Sequence, residues 1–233
     1  MTIHEFSDAF DVALSSYQST PEYTKQFANT EIVLNEYEKS LLLTEAQESI
    51  VKDLYNGKLT GDGFESTEEQ RRSLDSLVNT VELTPRDLQK PKMSDNSKFF
   101  ELPDKLWFIT YESALLSDDT LGCKNNTRVE VTPIKQDEYH KVKNNPFRGA
   151  SDKRVLRIDT GSSIVELISK YTIEKYLVKY LSKPTPIILQ DITDSNLTIE
   201  GEHIVTECKL SSILHRTILE RAVALAIKRL PSK

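Results

Sequence analysis

The spacing of apolar positions changes character partway along the chain. Near the start, Phe6, Phe10, Ala13, Leu14 and Tyr17 recur every three or four residues, and Pro21 closes the run, which predicts an amphipathic helix. The segment from Glu31 to Tyr55 is free of Gly and Pro. It carries two overlapping stripes, Val33, Tyr37 and Leu41, then Leu43, Ala46, Ile50 and Leu54, which predict one long helix covered on more than one side. The turn cluster from Asn56 to Gly63 stops it. Thr67 ahead of Glu68, Glu69 and Gln70 reads as an N-cap with a capping-box partner at Gln70. Leu74, Leu77, Val78 and Val81 would give that helix its apolar side. The polar stretch from Lys90 to Lys98 is the best candidate for a boundary, dividing residues 1–95 from 96–233.

Beyond it the pattern becomes that of strands. Lys105 to Leu116 is rich in aromatic and β-favouring residues, and Thr127 to Ile134 alternates through Val129 and Val131. The runs on either side of Asp159 to Ser162 predict a hairpin. Further strands are expected at Lys175 to Leu181 and at Thr185 to Gln190, with another hairpin about Gly201. Leu214, Ile218, Ala222 and Leu225 mark one face of a closing helix, from about Ser212 to Arg229. The expected fold class is therefore α+β: a helical N-terminal part with one long helix, then a mainly antiparallel β-rich part closed by a C-terminal helix.

Charge follows the same division. Residues 1–95 hold 18 acidic and 9 basic side chains, whereas residues 96–233 hold 18 acidic and 21 basic, within a net charge of -6. That balance does not suit general duplex-DNA binding, which depends on neutralising phosphates. The two cysteines, Cys123 and Cys208, form no CxxC, so neither a disulfide framework nor a zinc site is expected. His4, His140, His203 and His215 are dispersed and supply no metal-ligand spacing. No P-loop, dinucleotide or nucleophile-elbow motif occurs, and no cofactor is expected. The start of the chain has neither the basic nor the apolar region of a signal peptide, and no apolar run is long enough to span a bilayer.

Two local signals compete for a functional reading. Asp159-Thr160-Gly161-Ser162 matches the active-site loop of an aspartic protease, in which two carboxyls share a proton and activate water. A second copy of the loop is missing from the sequence, so this reading needs a homodimer. Asp, Ser and Gly are also what a hairpin turn requires, and the turn is the simpler expectation. The other signal is a basic loop. From Tyr139 to Arg157 there are six Lys or Arg residues against one acid, Asp152, with Tyr139 and Phe147 among them. Such a loop would suit a nucleic-acid module using Lys141, Lys143, Arg148, Lys153 and Arg154. The favoured reading is a positive patch meeting the acidic part of a neighbouring copy, ahead of the nucleic-acid module and of an ordinary solvated surface.

Four segments in order add to this reading. They are Glu138-Tyr139 followed by Asn145-Pro146-Phe147-Arg148, then Val165 to Ser169, then Tyr176 to Leu189, and finally the helix within residues 208–227. Together they resemble the structural ring proteins of crAss-like tailed bacteriophages, over about residues 105–228. At Ser211-Ser212 the sequence departs from the Pro-Glu more usual there. The resemblance implies a non-enzymatic virion protein of the neck or tail, made in the bacterial host cytoplasm. It implies a homo-oligomeric ring, commonly of twelve copies, around the DNA passage between portal and tail. Its partners would be other ring, portal or tail proteins and, at most, non-specifically passing double-stranded DNA, with no membrane. Pro fixes its own φ and restricts the residue before it, so Asn145-Pro146 would stiffen the loop. The expected subunit-interface residues are Tyr139, Asn145, Pro146, Phe147, Arg148 and Arg154.

Overall fold

A computed structural model of the chain describes residues 1–20, 33–57, 67–88, 92–161, 163–194 and 196–229. The chain forms two compact units, one of residues 1–77 with 184–233 and one of residues 78–183. The charge boundary near residue 95 follows the order of the chain. The packing boundary differs because the C-terminal segment returns to the N-terminal helices.

In the first unit, α1 (Ile3–Gln18) and α2 (Glu36–Tyr55) both begin with capping boxes. The Thr2 hydroxyl accepts from Glu5 N–H while the Glu5 carboxylate accepts from Thr2 N–H, and Asn35 and Glu38 repeat the exchange. The next helix, α3 (Glu68–Leu74), has Thr67 as its N-cap, as expected. Phe6, Phe10 and Leu14 are the buried stripe of α1. The long helix starts five residues later than expected at its N-terminal end. Glu31 and Ile32 lie outside the described residues, and Val33 is exposed ahead of the helix. Of its two stripes, the one through Leu43, Ala46, Ile50 and Leu54 is buried. Lys39 is buried too, with its ammonium 2.7 Å from Asp11 and 2.9 Å from Glu36. Burial alone would lower the Lys39 pKa, but the two carboxylates outweigh it and hold the lysine charged.

A polar stripe on α2 explains the fate of Thr185 to Gln190, which is not the expected strand. Ser40 and Thr44 accept from the backbone N–H groups of Leu189 and Ile187 at 3.0 and 3.1 Å, and Gln47 donates to the Thr185 carbonyl at 2.8 Å. Ile188, facing the other way, exchanges both backbone hydrogen bonds with Thr206. The segment is extended, but side chains of a helix satisfy alternate backbone groups in place of a neighbouring strand. The hairpin expected about Gly201 reduces to a tight turn with one bridge, Ile199–Glu202, because the chain after it pairs back onto residues 188–192. The last helix, α5 (Ser212–Lys228), packs on α1 and α2, with Arg221 donating to Ser49 at 2.8 Å and paired to Asp53.

The second unit is a seven-stranded curled sheet with order β1-β7-β3-β4-β5-β6-β2. The strands are β1 (Val78–Leu83), β2 (Lys98–Glu101), β3 (Leu106–Leu116), β4 (Thr127–Pro133), β5 (Arg154–Gly161), β6 (Ile164–Ile168) and β7 (Ile173–Ser182). Every neighbouring pair is antiparallel except β4 and β5. Arg86, just past one edge strand, bridges to Phe99 in the other, which draws the sheet towards closure. Two strands depart from the sequence expectation. Val78 and Val81 lie on β1 and not on a helix, since helical structure ends at Leu77. The end of the polar stretch, Lys98, opens β2, whose Phe99 and Phe100 are fully buried.

Phe100, Val129, Val131, Val155, Val165, Leu167, Tyr176 and Val178 fill the inner side of the curl. The inner row of β5 continues from Val155 to Arg157, which therefore carries a charge into this interior. Its Nη1 is 2.9 Å from both carboxylate oxygens of Glu112, and Tyr176 donates its hydroxyl to the same carboxylate at 2.5 Å. Burial pushes the Tyr176 phenol far above its ordinary range, so it stays a neutral donor. Burial likewise raises Glu112 more than Tyr176 and Arg157 lower it. The three groups satisfy one another, and losing one strands the rest. Arg157→Met is expected to cost about 3–5 kcal/mol in urea denaturation. Replacing all three with Glu112→Leu, Arg157→Met and Tyr176→Phe is expected to recover most of it. A single-variant cost below about 1 kcal/mol would show that the cluster is not interdependent.

Candidate functional site

The basic loop is the connection between β4 and β5. Because these strands run parallel, the chain must cross over the sheet between them. A short helix, α4 (Tyr139–Val142), carries that crossover. Tyr139 and Val142 pack on Leu156, Ile158 and Ile168, the outward row of β5 and β6, with Ile134 and Ala150 at the margin. Tyr139 is only 6% exposed. The structure thus places it beneath the loop as a support, away from the surface where a direct contact would sit.

Asn145 organises the loop above it. Its side-chain oxygen accepts from Phe147 N–H at 2.9 Å and Arg148 N–H at 3.2 Å, and its backbone carbonyl accepts from Gly149 N–H at 2.7 Å. Pro146 follows Asn145 and removes a donor the turn does not need. Arg154 reaches back from β5 to donate to the Phe147 carbonyl at 2.6 Å. Lys124 pairs with Asp152 at the far end of the loop; the shared hydrogen bond raises the lysine pKa and lowers that of the aspartate. Phe147 is left 86% exposed at the tip, with exposed Arg148 beside it. Of the six expected residues, Phe147 and Arg148 are presented outward, while Tyr139, Asn145 and Arg154 hold them there. Gly149 was missing from that set. A Cβ on it would meet the Asn145 carbonyl at 2.7 Å and the Val142 carbonyl at 3.0 Å, contacts the backbone cannot relieve cheaply.

The basic residues do not form one patch of free charge. Arg157 is committed to Glu112 inside the sheet, and Arg154 to the loop backbone. Lys141, Lys143, Arg148 and Lys153 remain at the surface.

Asp159 lies on the hairpin that the sequence predicts. It is exposed, and its carboxylate is 3.1 Å from Arg157 Nε. Thr160 donates to the Ile164 carbonyl across the turn at 2.9 Å, Gly161 and Ser163 take positive φ, and Ser162 lies outside the described residues. An aspartic-protease dyad needs a second carboxyl facing the first. Among the described residues Asp159 faces a guanidinium, and no cluster of His, Cys, Asp or Glu could hold a metal ion.

The loop thus presents an aromatic–arginine pair outward from a hydrogen-bonded turn. The family model of phage tail ring protein 3/4 matches residues 1–231. The chain belongs to this family. It is 48% identical over 229 residues to Ring protein 3 of Bacteroides phage crAss001, covering 97% of this chain and 95% of that protein. It is 32% identical over 236 residues to Ring protein 4/5 of the same phage, covering 97% and 92%. The match extends the resemblance seen in the second half of the sequence over the helical first half. The chain is therefore a structural ring protein of a crAss-like phage virion, from a family of structural proteins and not of enzymes. No helix among the described residues is long and apolar enough to cross a membrane.

The loop geometry of this ring protein can be tested directly. Gly149→Ala is expected to destabilise the fold by about 1–3 kcal/mol through the forced carbonyl contacts. Asn145→Ala is expected to speed amide hydrogen exchange at Phe147 and Arg148 while leaving β5 unchanged. Unchanged exchange at both positions would show that Asn145 does not order the tip.

Proposed function

We propose that the chain closes into a homo-oligomeric ring in the phage neck or tail, stacked with other ring, portal or tail proteins around the passage for double-stranded DNA. The exposed Phe147–Arg148 pair on its braced loop is the observation that supports this reading best. Aromatic and Arg side chains carry interface energy more often than other types, and a pre-formed loop loses little entropy on docking. In a ring each subunit uses two unlike faces, and the rotation between neighbours sets the copy number. Our reading takes that number as twelve, the count common among the ring proteins that this sequence resembles. The acidic excess of residues 1–95 against the basic excess of residues 96–233 supplies unlike surfaces of the kind a head-to-tail contact needs. DNA passes through the lumen with at most non-specific contact. The interface set is Phe147 and Arg148 as contacts, with Tyr139, Asn145, Pro146 and Arg154 positioning them.

The test is a double substitution, Phe147→Ala with Arg148→Glu. The variant is expected to fold as the parent does by circular dichroism and thermal melting. In particles assembled with it as the only copy of this chain, its incorporation is expected to fall to background by mass spectrometry. Normal incorporation would refute the interface assignment. A native mass other than that of twelve copies in isolated rings would refute the copy number.

A further inference from the structure

The first helix carries a second stripe that the fold does not use. Phe6, Phe10 and Leu14 point inward, whereas Ala9, Val12 and Ala13 form an apolar strip beside them, with Glu5 and Asp8 at its N-terminal end. These residues, with Met1, line a shallow hollow on the surface. Val12 is 67% exposed, an unusual position for a β-branched apolar residue on a helix with polar alternatives on every side. The alanines make the floor low, and Val12 makes a wall. Asp8 is exposed and, among the described residues, has no cationic partner; Arg148 is likewise exposed without an anionic one.

We propose that Phe147 of one copy seats in this α1 hollow of a second copy, with Arg148 set against Asp8 and Glu5. This rests on the ring reading and names the surface that receives the loop. The two surfaces match in order as well as in kind: an aromatic followed by a cation meets an apolar hollow bordered by anions. Phe147 leaves water on contact with Ala9, Val12 and Ala13. The acidic border, Glu5 and Asp8, lies at the N-terminal end of α1 and offers carboxylates to the incoming guanidinium. Loop and hollow are unlike surfaces, as a heterologous contact that propagates around a ring requires.

Two experiments on the full chain decide the matter. In a Cys123→Ser background, which removes the exposed native thiol, Phe147→Cys and Val12→Cys are placed on separate chains bearing different mass tags. Oxidation of co-assembled material is expected to give a disulfide dimer carrying both tags, and no dimer of either variant with itself. The second experiment keeps Phe147 intact. Arg148→Glu is expected to reduce incorporation at least about tenfold, and adding Asp8→Arg to the same chain is expected to restore it. Absence of a mixed dimer together with failure of the charge exchange would overturn the α1 seat. So would a disulfide confined to one chain or formed with a different virion protein. If the loop substitutions still block incorporation in that case, the ring interface stands and only its receiving surface is wrong. If they do not, both readings fall.

Discussion

The parallel pairing of β4 with β5 is the constraint from which the exposed Phe147–Arg148 tip follows. Antiparallel neighbours can be joined by a tight turn, but parallel ones require the chain to travel back along the sheet before it can pair. Residues 134–153 make that journey, and they cannot do so unsupported. The outward row of β5 and β6, Leu156, Ile158 and Ile168, is apolar where a solvated sheet face would be polar, and it takes Tyr139 and Val142 as its cover. Once those two are buried, the rest of the crossover has little freedom. Asn145 closes the turn, Arg154 ties it to the strand it is about to enter, and Phe147 is forced outward because its own backbone is held on both sides.

The same strand shows how period-two alternation can separate two jobs. Val155 and Arg157 face the interior of the curl, while Leu156 and Ile158 face the crossover. The inward arginine is tolerated because Glu112 accepts from it and from the Tyr176 hydroxyl, while the Asp159 carboxylate lies 3.1 Å from its Nε, which makes that end of the interior an ordered polar network. A similar economy operates around Glu166. It points to the opposite side from Val165 and Leu167, is fully buried, and accepts from Met93 N–H and the Ser97 hydroxyl, fastening the chain that leads into β2.

Much of this was legible in the sequence where a local rule had no competitor. The Thr67 N-cap, the helical stripes of α1 and α5, and the strands at β3, β4, β5 and β7 all correspond to what formed. Misreadings arose where long-range partners overruled local pattern. Val78 and Val81 suit the helical spacing of Leu74 and Leu77, but β7 offers them a backbone ladder. Phe99 and Phe100 sit at the end of a polar stretch too short to announce a strand, and pairing with β6 defines it. Thr185 to Gln190 has strand composition and an extended course, yet its partner is the polar stripe Ser40–Thr44–Gln47 on a helix more than a hundred residues earlier. No spacing rule anticipates such a pairing. Within the loop, the outward pair Phe147–Arg148 was visible as residue types. The burial of Tyr139 was not, because an aromatic next to lysines reads equally well as surface or as support.

The loop and its setting bear on why assembly can be specific without a large change of shape. A flexible loop bearing Phe and Arg would have to be ordered at the moment of contact, and that cost would be drawn from the binding energy. Here the ordering is completed during folding, by the Asn145 turn, the Arg154 brace and the Tyr139 support. An exposed aromatic held in this way is costly to keep and easy to relieve, so burial against a neighbour yields nearly its full hydrophobic gain. The charge beside it contributes differently. Surface ion pairs add little affinity, but opposite charges on two docking faces would bring them together in one register and disfavour contact between like faces. In the proposed ring, geometry built on parallel strands would supply affinity, and the uneven distribution of acid and base along the chain would supply direction.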